Sequence, residues 1–122
     1  MKSILVVEDD AGCLKNICTF LREEGYKVTE AHHGDEALEL VTQATFDLIL
    51  TDIRMPRTDG IRLLEQARAI SPETPVILMT AFAPSETWKK TLADNLISKP
   101  LILSQLLQKI DRAIECKRAG KP

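Results

Sequence analysis

Short apolar runs alternate along this chain with longer stretches in which apolar residues recur every three or four positions. Ile4–Val7 is an unbroken apolar run closed by Glu8-Asp9-Asp10, the pattern of a strand buried on both faces. Leu14, Ile17, Cys18 and Leu21 then form the stripe of an amphipathic helix, and Gly25 stands where such a helix ends in the left-handed conformation. Tyr26–Ala31 alternates in part and is rich in residues that favour strands, which predicts an edge strand. Gly34-Asp35-Glu36 opens a second helix with the stripe Ala37, Leu40, Val41 and Ala44. Leu48-Ile49-Leu50 is a third buried strand, ending at Thr51-Asp52. Met55–Gly60, with its proline and Asp-Gly pair, reads as a loop.

Ile61, Leu64 and Ala67 mark a third helix that stops before Ser71-Pro72. Val76–Met79 is a fourth strand ending at Thr80, and Ser85 is placed to cap a short helix carrying Trp88 and Leu92. Leu96-Ile97 predicts a brief fifth strand before Ser98-Lys99-Pro100. Leu103, Leu106, Leu107, Ile110 and Ile114 make the last helix. Five β-α units in strict alternation predict an α/β fold: a parallel sheet with helices on both faces and right-handed crossovers. The domain is expected over residues 1–116, with the basic stretch 117–122 as a tail or the start of a linker.

Composition narrows the function classes. At 122 residues the chain suits one domain. A net charge of −2 supplies no field that would draw it to nucleic acid or an anionic membrane. No apolar run is long enough for a membrane span or a signal peptide. Cys13, Cys18 and Cys116 lack framework or C-x-x-C spacing, so they read as small apolar helix residues in a reducing cytosol. His32 and His33 read as solvated loop residues. Trp88 reads either as cover for exposed core or as a partner surface.

Ligands of an open parallel sheet bind beyond the carboxyl ends of its strands. Those positions hold Glu8, Asp9 and Asp10, then Asp52, Thr80 and Lys99. Clustered carboxylates repel unless a cation intervenes. A hard cation such as Mg²⁺, which prefers oxygen ligands and keeps several waters, removes the conflict, and the lack of Cys or His in the group disfavours zinc. A hydroxyl and an ammonium facing one carboxylate suit a phosphoryl group carried on it. An acid after a strand is also a common helix cap, and each residue alone has such a bland reading.

Taken together, Ile4–Asp10, Thr51–Pro56 with Asp59-Gly60, Met79-Thr80-Ala81 and Lys99-Pro100 resemble the receiver domains of two-component signalling over essentially the whole chain. The resemblance implies a flavodoxin-like, CheY-like sheet of order 2-1-3-4-5. It implies Asp52 as phosphoacceptor, with Thr80 as switch hydroxyl, Ala81 leaving space for the phosphoryl group and Lys99 as phosphate partner. Its Mg²⁺ would be held by Asp9 and Asp52, by Glu8 through water and by the backbone carbonyl of Arg54. Arg54 and Phe82 would flank the site. The implied partners are a sensor histidine kinase and an output domain or protein, with a homodimer on phosphorylation, in the bacterial cytoplasm. Catalysis would extend no further than slow self-phosphorylation and self-dephosphorylation. The sequence departs from the family in carrying Leu96 where an aromatic is usual. It also has a short Phe82–Asn95 stretch, so the fourth helix is expected to be shortened.

Two other functions fit less of the pattern. One is a degenerate receiver that binds partners without being phosphorylated. The other is a phosphatase of the haloacid dehalogenase type, whose D-x-D after the first strand is replaced here by Glu8-Asp9-Asp10. No P-loop pattern is present, and no basic recognition helix suggests direct DNA binding.

Overall fold

A computed structural model describes residues 2–53, 60–80 and 95–118. The described elements are β1 (Ser3–Val7), α1 (Ala11–Glu23), β2 (Lys27–Ala31), α2 (Gly34–Gln43), β3 (Leu48–Asp52), α3 (Gly60–Ile70), β4 (Val76–Thr80), β5 (Asn95–Ser98) and a last helix, here α4 (Leu103–Arg118). The five strands form one parallel sheet in the order β2-β1-β3-β4-β5, so the strand sequence reverses direction between β1 and β3. The helix expected between residues 82 and 95 lies outside the described residues, as do Ala81, Phe82, Ser85 and Trp88.

Two apolar layers sandwich the sheet. Ile4, Val6, Leu50, Ile77, Met79 and Ile97 pack against Leu14, Ile17 and Leu21 of α1 and against Leu106, Ile110 and Ile114 of α4. Leu5, Val7, Ile49 and Leu78 point the other way, onto Ala37 and Val41 of α2 and Leu63, Leu64 and Ala67 of α3. Successive strand residues face opposite layers, so β3 and β4 are buried at every position, and residues 48–50 and 76–79 within them are unbroken apolar runs.

Local caps set the helix boundaries. The Asp10 carboxylate accepts from the Cys13 backbone N–H at 2.9 Å and starts α1, and Gly25, at φ 96°, turns the chain after it. The sequence predicts a solvated loop position for His33. Its Nδ1 instead accepts from the Glu36 N–H at 3.3 Å and caps α2. Three boundaries fall elsewhere than the residue pattern predicts. Tyr26 precedes β2, and its hydroxyl hydrogen-bonds the Asp111 carboxylate on α4. Ala44 is an exposed C-cap and not part of the α2 stripe. The last helix runs to Arg118, two residues into the stretch read as a tail. All three cysteines are free, but only Cys18 is buried, while Cys13 is half-buried and Cys116 is exposed.

Candidate functional site

Strand register brings the chemistry to one edge. Val7 pairs with Thr51, Asp52 with Met79 and Thr80 with Ser98, so the tips of β1, β3, β4 and β5 end level. Backbone bonds carry this alignment past the tips: Glu8 N–H donates to Ala31 O at 3.1 Å, Ile53 N–H to Met79 O at 3.1 Å and Lys99 N–H to Thr80 O at 2.6 Å. Sequence-remote residues are thereby fixed side by side by backbone hydrogen bonding alone.

The side chains converge accordingly. One carboxylate oxygen from each of Glu8, Asp9 and Asp52 lies within 4.8 Å of the others. Glu8 is 1% exposed and Asp52 8%, while Asp9 faces solvent. Lys99 reaches into the group, its Nζ 2.8 Å from Glu8 Oε1 and 2.9 Å from Asp52 Oδ2. Thr80 is buried at the adjoining tip, bound to Lys99 through the backbone. The Lys99–Pro100 peptide bond is cis. Arg54, expected to lend a backbone carbonyl, lies outside the described residues.

Burial and proximity set the electrostatics. Desolvation, followed by the neighbouring Asp52, pushes the Glu8 carboxyl up to about 7, against the opposing pull of Lys99. Burial disfavours the Lys99 ammonium, but its bonds to Glu8 and Asp52 outweigh that and raise its pKa. Burial, then the nearby Glu8, pushes the Cys13 thiol up to about 11. The Cys13 thiol near Glu8 is not announced by the residue pattern. Its only trace was a position five residues after Glu8, in the first turn of α1. The residue pattern places Glu8 at the metal alone and carries no sign of its pair with Lys99.

The pocket fits a hard divalent cation. Glu8 Oε2 is buried and makes no hydrogen bond to the described residues. Three oxygen donors surround one point without Cys or His, and Asp9 leaves the site open to water. An ammonium already bridges two of the carboxylates, so the site is built around positive charge.

A doubly wound parallel sheet with acids and an amine gathered at its carboxyl edge defines a class of α/β ligand-binding domains. Within it, the chain belongs to the response regulator receiver domain family, whose description matches residues 4–111. It is 40% identical over 114 residues to the transcriptional regulatory protein ZraR of Escherichia coli K12, covering 91% of this chain and 26% of that protein. Over 121 residues it is 36% identical to the regulatory protein AtoC of the same strain, covering 97% and 26%. The chain thus spans about a quarter of the length of these curated relatives. Among solved structures it superposes on a CheY-like receiver domain from Methanospirillum hungatei JF-1 with TM-score 0.94, at 33% identity and 98% coverage of each chain. The chemotaxis protein CheY4 of Vibrio cholerae matches with TM-score 0.86, at 28% identity, covering 93% of this chain and 98% of that one. The expected sheet order is the observed one. No helix among the described residues is long and apolar enough to cross a membrane.

Proposed function

We propose that this domain is a phosphoacceptor switch in which Asp52 takes a phosphoryl group from a sensor histidine kinase. The observation that carries this reading is the Lys99 ammonium lying on Asp52 within a three-carboxylate pocket. An Asp52 carboxylate oxygen attacks phosphorus, the P–N bond to the donor imidazole breaks, and the electron pair returns to that ring. Glu8, Asp9 and Asp52 would hold Mg²⁺, which when bound offsets charge on the phosphoryl oxygens. Lys99, already positioned, pairs with those oxygens as they accumulate charge. The acyl phosphate adds about 1.5–2 negative charges, which Lys99 and the Thr80 hydroxyl answer by moving toward it. That movement resets the surface read by an output domain or partner, and phosphorylation favours a homodimer. Turnover is confined to slow self-phosphorylation and self-dephosphorylation, and the domain works in the cytoplasm.

Acetyl phosphate with Mg²⁺ tests this reading by intact-mass measurement. One base-labile phosphoryl group on the wild type, absent from Asp52→Asn and from chelator-treated protein, is the expected result. Equal labelling of Asp52→Asn refutes the assignment. An unlabelled wild type that still binds partners supports the degenerate reading, and sustained hydrolysis of phosphomonoesters supports the phosphatase reading.

A further inference from the structure

The carboxyl ends of α2 and α3 converge at the sheet edge opposite the acidic pocket, because both helices run antiparallel to the strands. Between them lies a cleft of about 250 Å³, lined in part by Val41, Gln43, Thr45, Ile70, Ser71 and Glu73. We propose that this cleft takes an arginine side chain presented by a protein partner.

Its charge is one-sided. Each helix terminus carries about half a negative charge on its last carbonyls. The last turn of α2 has no basic residue to answer that charge. The one in α3, Arg68, donates to Pro72 O at 3.1 Å and does not line the cleft. Glu73 adds a full carboxylate, held at the rim by the Ser71 hydroxyl at 3.2 Å. Among the described residues lining the cleft there is no Lys, Arg or His.

The walls also select the stem. Ile70 is 47% exposed, a large apolar residue in open solvent, and Val41 lies beside the cleft. An aliphatic stem laid on Ile70 with its charged head among the carbonyls matches the way long basic side chains bury themselves. The acceptors at hand are the α2 carboxyl end, which has no basic residue in its last turn, and the Glu73 carboxylate. A guanidinium, with five donors and weak hydration, meets such a set better than the point charge of an ammonium.

The cleft is on the edge opposite Asp52, so this proposal stands independently of the phosphoacceptor reading. Nα-acetyl-arginine amide, added to ¹⁵N-labelled full chain, is the probe. Saturable amide shifts confined to residues 42–45, 70, 71 and 73 are expected, with no such shifts from the neutral isostere Nα-acetyl-citrulline amide. Glu73→Gln and Ile70→Ala, both at exposed positions, weaken binding about threefold or more, while Asp52→Asn leaves it unchanged. Equal shifts from the citrulline probe, shifts centred on the acidic pocket, or an unsaturable response would overturn the proposal. Movement of the same cleft resonances on deleting residues 119–122 would overturn it too, by assigning the cleft to the chain's own basic end.

Discussion

The Lys99 ammonium lies 2.9 Å from Asp52 Oδ2, across a sequence separation of 47 residues. The same nitrogen binds Glu8 at 2.8 Å, so one side-chain cation balances two largely buried acids. Lys99 therefore supplies part of the positive charge that these clustered carboxylates need.

Replacing Lys99 with methionine separates these roles. Metal-free protein is expected to lose about 1–2 kcal/mol, less than a fully buried pair because Lys99 is 22% exposed. Affinity for a divalent cation is expected to rise, since no ammonium competes for the carboxylates. Thermal melts in chelator and calorimetric Mg²⁺ titrations check both. Unchanged melting together with weaker metal binding would contradict the account.

Glu8 gives the metal-free domain a pH dependence. Its folded pKa, about 7, is above the ordinary 4.5, so folding favours the protonated form. Its stabilising contribution is complete below about 4.5 and is lost as pH rises through about 7. Divalent-cation affinity is expected to rise over the same window, because the metal needs the carboxylate. Denaturant midpoints in chelator at about pH 5 and about pH 8 should fall in that order, and Glu8→Gln should flatten the difference.

Tyr26 is the only tyrosine in the chain, so tyrosinate absorbance reports it alone. Burial, then the Asp111 hydrogen bond, holds its ionisation above the ordinary value of 10. The absorbance midpoint should drop toward that value in Asp111→Asn. The hydrogen bond itself should be worth about 1 kcal/mol, read from urea unfolding at neutral pH. An unaltered midpoint would show that Asp111 does not hold the phenol.

Leu106 and Ile102 test the boundary of the core on the last helix. Leu106 is fully buried against the sheet, and Leu106→Ala should cost about 3 kcal/mol. Ile102, 55% exposed just before α4, should tolerate Ile102→Ser within about 0.5 kcal/mol. Equal losses in urea unfolding would mean that α4 docks differently.

Much of this protein was legible without coordinates. Unbroken apolar runs at 4–7, 48–50 and 76–79 identify strands covered on both faces, and that demands helices in two layers. Alternation with amphipathic helices then leaves a parallel sheet, and the acids after β1 and β3 fall at its ligand-binding edge. These features are local and periodic, so composition and spacing reveal them.

What depended on the tertiary structure was partnership between distant residues. Glu8 was readable as an acid at a strand tip, but its pairing with Lys99 depends on four strands ending level. His33 has the sequence context of a loop, and only the backbone direction entering α2 aims its Nδ1 at the Glu36 amide. Tyr26 reads as a strand residue until α4 brings Asp111 to its hydroxyl. The cleft between the ends of α2 and α3 has no linear pattern at all. Periodicity reports which face of an element is apolar, whereas a hydrogen bond or an ion pair depends on atomic separations set by how the elements pack.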